Sequence, residues 1–190
     1  MKSPDSIRSS NWFSRLFLVA KKLTPQAVQD KADQDGPEAQ NNLGVLFMHG
    51  APFPPDFSAA ARCFQNAADQ GNALAQVNLG LMHTRGEGVA TNPAEAAKWF
   101  LRAAEQGDAS AQFKLGTNSH RSSFDLAGAE ADEARITALK WFRLAAAQGF
   151  HNAEAACGSL IVKMTHAELA ESNRRVAAFT AKLFRPLPES

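Results

Sequence analysis

The feature that most constrains this chain is a repeat. The strings PEAQNNLG at 37–44, ALAQVNLG at 73–80 and SAQFKLG at 110–116 set Gly44, Gly80 and Gly116 36 residues apart, and a decayed HNAEAACG at 151–158 brings Gly158 after 42. A second block keeps step with the first. ARCFQNAADQG at 61–71, AKWFLRAAEQG at 97–107 and LKWFRLAAAQG at 139–149 place Phe64, Phe100 and Phe142 at intervals of 36 and 42, so the third unit carries six extra residues. A period of this size marks one supersecondary unit that buries its apolar face only by stacking on its neighbours.

Each unit reads as two helices. In helix A, Ala39, Leu43, Gly44 and Phe47 recur as Ala75, Leu79, Gly80 and His83, a spacing that lines one helical face. In helix B, Ala60, Phe64, Ala67 and Ala68 recur as Ala96, Phe100, Ala103 and Ala104, and again as Ala138, Phe142, Ala145 and Ala146. Bulky rings thus alternate with alanines that permit close approach. A glycine inside a helix costs about 1 kcal/mol against alanine, so the recurrence of Gly44, Gly80 and Gly116 predicts tight helix contact there. Gly71, Gly107 and Gly149 fall where a left-handed residue would end helix B. Asn92 before Pro93, and Asp56 36 residues earlier, mark helix starts.

Composition agrees with an all-α reading. The 190 residues are 45% hydrophobic and 21% charged, with 20 Lys+Arg against 19 Asp+Glu, which disfavours global disorder and a polybasic nucleic-acid binder. The charge is unevenly spread. Residues 1–31 carry six basic and two acidic side chains, whereas 32–162 carry nine basic and fourteen acidic. The early apolar run Leu16 to Ala20 is too short to span a bilayer and lacks a cleavage pattern, so residence in the cytoplasm is expected. Trp12, Phe13, Leu16, Phe17, Ala20 and Leu23 line one side of a helix there, either as an ordinary apolar face or as a docking segment for a membrane surface or a partner.

These strings resemble the Sel1-like repeat proteins, a branch of the tetratricopeptide-like α-solenoids. The pattern A-x-x-x-L-G, then G-x-G-V, then A-x-x-W-F-x-x-A-A-x-x-G is complete in the middle unit, as AQVNLG, RGEGV and AAKWFLRAAEQG, and the resemblance spans roughly 30–184. It implies a right-handed α-solenoid of helix-turn-helix repeats, about 36 residues each, with terminal capping helices. Three departures stand out. The family aromatic three residues after the helix-A glycine is Phe47, then His83, then Ser119. The G-x-G-V turn is GAPF in the first unit. It is missing from the third, where residues 117–134 read as a longer loop. The expected organisation is a basic amphipathic segment and capping half-repeat over 1–35, repeats over 36–70, 71–106, 107–148 and a degenerate 149–163, and a capping helix and tail over 164–190. Thr24 and Pro25 start a short helix through Gln34. Thr165, with Glu168 three later, forms a capping box for the last helix, whose polar face is Glu171, Arg174, Arg175 and Lys182.

Catalytic and metal motifs are absent from the string. There is no P-loop, no dinucleotide fingerprint, no His-Glu-x-x-His and no cysteine pair at metal spacing, so neither cofactor nor metal is expected. Cys63 and Cys157 lie too many helix layers apart for a disulfide and read as packed thiols, unlike the paired cysteines of secreted relatives. His49, His83 and His120 all fall near the end of a helix A but in three different phases, which suits packed rings better than a metal site. Penicillin binding or hydrolase-like activity, associated with cysteine-rich relatives, is a remote alternative, and Ser-x-x-Lys does not occur here.

A non-enzymatic scaffold or adaptor is therefore expected, binding a protein or peptide through the half of helix A that the core leaves free. In such solenoids that half lines the concave face. At about 100° per residue the face takes Asn41, Val45 and Met48 in the first unit, Val77, Leu81, Thr84 and Arg85 in the second, and Phe113, Thr117, His120 and Arg121 in the third. Apolar side chains there, with Arg85 and Arg121 at the margin, suit an apolar segment bearing a carboxylate, unless neighbouring A helices bury them against one another. The extra residues at 117–134 are the second candidate contact. The alternative is a module held at a membrane surface by Trp12, Phe13, Leu16 and Phe17 with flanking Lys21 and Lys22.

Overall fold

The computed structural model describes residues 24–50 and 54–183, and all regular secondary structure among them is helical. The chain divides into two compact units, residues 1–99 and 100–190. The first holds α1 (Pro25–Asp35), α2 (Pro37–His49), α3 (Phe57–Asp69), α4 (Ala73–Arg85) and the start of α5 (Pro93–Glu105). The second holds the end of α5, α6 (Ala109–Ser122), α7 (Gly128–Ala147), α8 (Ala153–Ile161) and α9 (His166–Leu183).

In the first unit every helix but α2, which follows Gly36 and starts at Pro37, begins where a short polar side chain accepts an orphan backbone N–H. Ala27 N donates to Thr24, Ala59 N to Asp56, Ala75 N to Asn72 and Glu95 N to Asn92. The core between them is the predicted one. Leu43, Phe64, Ala67 and Leu79 are buried together with Val28, Met82 and Trp99. Gly44 sits inside α2 because a Cβ there would lie 2.7 Å from the Phe64 ring, so the recurrent glycine is a contact requirement rather than a break. The middle unit's RGEGV turn needs its second glycine for a similar reason. Gly88 has φ of +70°, and a Cβ would fall 2.1 Å from the Phe57 carbonyl oxygen.

Buried amides tie the helices across this core. Gln76 donates to the Ala68 carbonyl at 3.1 Å, Gln70 to Gln40 at 2.8 Å, and Asn78 to Asn41 at 3.0 Å. Each satisfies a polar group that burial would otherwise leave unpaired. The glutamine is itself a repeat position, since Gln112 donates to the Ala104 carbonyl at 3.3 Å and accepts from Gln148 at 2.9 Å in the second unit.

The second unit repeats the ring-on-glycine contact, with a Cβ on Gly116 only 2.6 Å from Phe142. It departs from expectation between the two helices. The longer loop expected over 117–134 is not there: α6 runs to Ser122, α7 starts at Gly128, and only 123–127 connect them. The extra residues lengthen helix B instead, to 20 residues in α7 against 13 in α3 and α5. Residues 127–135, AGAEADEAR, are mostly strong helix formers, and Ala131 and Ile136 bury themselves as the helix extends.

The added turns hold the last helix. Thr165 and Glu168 form the expected capping box, with Thr165 N donating to Glu168 at 2.7 Å and Glu168 N donating to Thr165 at 3.3 Å. Glu168 is buried and also accepts from Arg135 Nε at 3.0 Å, and Arg135 pairs in turn with Asp132. The polar face expected on this helix is only partly solvated. Arg174 and Lys182 are exposed, but Arg175 turns toward α7 and pairs with Glu133 at 2.9 Å while donating to Glu171 at 2.7 Å. Phe179 meets Trp141 edge-on at 5.4 Å, and Lys140 lies 4.0 Å from the Trp141 ring centre.

Candidate functional site

The helix-A positions expected to bind separate into three environments. On α2, Asn41 is buried and bonded to Asn78, and Val45 and Met48 are half-buried with part of their surface against the first unit's core. On α4, Val77 is buried, Leu81 is half-buried, and Thr84 and Arg85 are exposed. Thr84 donates to the Gly80 carbonyl at 2.8 Å, and Arg85 pairs with Glu87 at 3.6 Å. Burial thus takes Asn41 and Val77 out of the accessible row, Asn41 with its side chain bonded to Asn78.

In the second unit Phe113 packs rather than projects. Its ring lies 5.4 Å from Phe142 and 5.2 Å from Phe150, which makes it part of an aromatic cluster over the core. Thr117 is exposed and donates to the Phe113 carbonyl, and Arg121 is exposed. His120 is half-buried with its ring 5.0 Å from Phe124. Burial, then the nearby Lys163 charge, lowers its pKa below the usual histidine value, and its Nδ1 is sealed from solvent with no hydrogen-bond partner. Trp12, Phe13, Leu16 and Phe17, the docking segment expected from the sequence, lie outside the described residues.

The other titratable candidates do not assemble. His49 is exposed, and His83 Nδ1 lies 3.3 Å from the Ala90 carbonyl oxygen. Among the described residues no group of three or more His, Cys, Asp or Glu could hold a metal ion. Cys63 and Cys157 are both buried free thiols. Cys63 donates to Gln29 at 3.0 Å, and burial pushes its pKa up to about 12, so it is not a nucleophile at neutral pH.

Clefts open to solvent lie in both units. One of about 340 Å³ lies between α1 and α3, lined by Gln29, Asp33, Phe47, Asp56 and Arg62. Another, about 520 Å³, lies between the ends of α7 and α9, lined by Gln112, Leu144, Ala147, Thr180 and Leu183. A third, about 400 Å³, is lined by Phe150, His151, Asn152 and Glu154, and none of the three is lined by a cysteine. Among the described residues no helix is long and apolar enough to cross a membrane.

Two features escaped the sequence reading. The glutamine ladder of Gln40, Gln76 and Gln112 was visible as a polar residue recurring every 36 positions beside a buried alanine. The exposed pair Phe124 and Leu126 in the 123–127 turn had no comparable signal, since nothing in a helical wheel ranks residues of a turn.

Comparison with known proteins bears on the repeat itself. The Sel1 repeat matches residues 37–72, 73–108 and 109–150. Among solved structures, a Sel1 repeat protein from Oxalobacter formigenes is 32% identical with a TM-score of 0.63, covering 83% of this chain and 60% of its own. A protective antigen of uropathogenic Escherichia coli with an SLR fold is 22% identical with a TM-score of 0.68, covering 87% of this chain and 36% of its own, and so speaks for the fold alone. This chain therefore spans little more than a third of the length of one and well under two thirds of the other. No curated protein matches it. With three repeats matched over more than half its length, and with the all-helical solenoid fold of those structures, the chain belongs to the Sel1 repeat family, whose members generally mediate protein–protein interactions.

Proposed function

We propose that this chain is a non-enzymatic scaffold or adaptor that binds a protein or peptide segment through the accessible part of its A helices, as an accessory subunit of a larger assembly. The observation that carries the reading is the contrast on α4. Leu79 and Met82 are fully packed, while Leu81 stays half-exposed beside the exposed Thr84 and Arg85. An apolar side chain kept at a wet face next to a guanidinium suits a segment that brings an apolar residue and a carboxylate. Val45 and Met48 on α2 are half-buried at the corresponding face.

The test is Leu81→Glu. Partner affinity is expected to fall at least tenfold with helicity by circular dichroism unchanged. Unchanged affinity moves the contact to the 123–127 turn or to residues 1–23. The basic N-terminal segment, with Trp12, Phe13, Leu16 and Phe17 ahead of Lys21 and Lys22, favours a second reading as a tether to a membrane surface. Co-sedimentation with anionic liposomes, with and without residues 1–23, decides it: binding lost on truncation supports the tether, and no binding by the full chain rejects it.

A further inference from the structure

Going beyond the helix-A reading, we infer that the end of α6 is a second, separate docking patch, built from His120, Phe124 and Leu126 and flanked by Arg121 and Lys163, whose partner is an acidic peptide segment carrying large apolar side chains. The patch lies where the repeat departs from its own rule. In the first unit the turn after α4 tucks its apolar residue inward, and Val89 packs against the core. In the second unit the corresponding turn does the reverse, leaving Phe124 68% exposed and Leu126 39% exposed.

That exposure is not slack in the chain. The turn is pinned by its own backbone, with Phe124 N donating to the Arg121 carbonyl at 3.1 Å and Asp125 N to the Ser122 carbonyl at 3.1 Å. Ser123 Oγ adds a bond to the His120 carbonyl at 2.6 Å. A fixed turn that projects an aromatic ring loses little backbone freedom on binding, which favours an interface anchor. The His120 ring lies 5.0 Å from the Phe124 ring, tilted by 58°, and gives the exposed aromatic a packed neighbour.

Charge selects the class of partner. Arg121 and Lys163 are exposed, Lys163 is close enough to disfavour the charged form of His120, and the carboxylate within the turn is Asp125. Val162, one residue before Lys163, is 81% exposed. Arg121 and Lys163 make this a cationic spot that attracts an acidic segment and disfavours a second copy of the same surface. Two cations beside a carboxylate fall short of the four to eight lysines and arginines, roughly, by which polybasic segments hold anionic lipid.

The probe is a displayed library of random twelve-residue peptides selected on the full chain, with binders remeasured on variants. Selected peptides are expected to combine Asp or Glu with Leu, Phe or Trp. Their Kd should weaken at least tenfold in Phe124→Ser and in Lys163→Glu while staying within twofold in Leu81→Glu. Basic or uncharged binders, binders indifferent to Phe124→Ser, or no binders at all would overturn the inference. Binders lost with Leu81→Glu but kept with Phe124→Ser would overturn it too while upholding the helix-A reading. Vesicles of phosphatidylserine and phosphatidylcholine form the last arm, and binding to them that Phe124→Ser abolishes would reassign the patch to a membrane surface.

Discussion

The two units solve the same packing problem with different glue. In the first, a 13-residue helix B stacks on helix A, and the helices are cross-tied chiefly by neutral amides, Gln76 on the Ala68 carbonyl, Gln70 on Gln40 and Asn78 on Asn41. In the second, helix B grows to 20 residues, and its added turns grip the last helix through charge, Arg135 on Glu168 and Glu133 on Arg175. Neutral amide ties answer weakly to salt and pH, whereas ion pairs answer to both. An insertion that reads as a binding loop thus serves as a brace for the last helix, and that helix is secured by contacts specific to this chain rather than by the repeat.

The comparison can be broken hardest at what the units share. Phe64→Ala and Phe142→Ala each empty the ring that lies on a helix-A glycine, and each is expected to cost about 3–5 kcal/mol in urea unfolding. A much smaller loss at Phe142 would mean that the second unit does not depend on the repeat contact. Next in size, Gln76→Leu and Gln112→Leu remove the side-chain bonds to the Ala68 and Ala104 carbonyls, which keep their bonds from Gly71 N and Gly107 N, at about 0.5–1.5 kcal/mol apiece and equally in the two units.

Acid and salt then separate them. Burial works to raise the Glu168 pKa, but bonds from the Thr165 backbone and hydroxyl and from Arg135 outweigh it and hold the carboxyl below its ordinary value. A carboxyl depressed in the folded state contributes fully above its unfolded pKa, and that contribution disappears as pH falls through the folded value. Protection factors in α9, which allow for the slower intrinsic exchange in acid, should therefore fall on acidification below about pH 4.5, while those in α3 are spared. Glu168→Gln should lessen that pH dependence, and the remainder comes from Glu133, whose carboxyl the Arg175 bond also holds below its ordinary value. The smallest effect is ionic strength: screening the partly exposed Glu133–Arg175 pair should loosen α9 by no more than about 1 kcal/mol. Equal salt sensitivity in α3 would erase the contrast.

What the sequence disclosed follows from how local each cause is. The Gly44–Phe64 contact was legible because a glycine inside a helix is costly and so implies a close neighbour. The Thr165–Glu168 box was legible because three residues define it. The brace was not, since the loss of a G-x-G-V turn says nothing about which flanking helix absorbs the extra residues. The candidate surface was legible in outline only. A helical wheel places Phe113 on the outer face, but Phe150 arrives from a different turn and covers it. Similarly, the sealed His120 nitrogen depends on Phe124 and on Lys163, which is brought in from the turn before α9.

The central claim is that partner binding runs through the A helices. The most direct measurement is quantitative capture from native lysate, comparing the wild-type chain, a form lacking residues 1–23, Leu81→Glu on α4, and Leu101→Glu at a 41% exposed position of helix B. The account predicts one stoichiometric partner retained by the wild type, by the truncated form and by Leu101→Glu, and lost with Leu81→Glu. A capture in which every partner survives Leu81→Glu, or in which the partner disappears with residues 1–23, would contradict it.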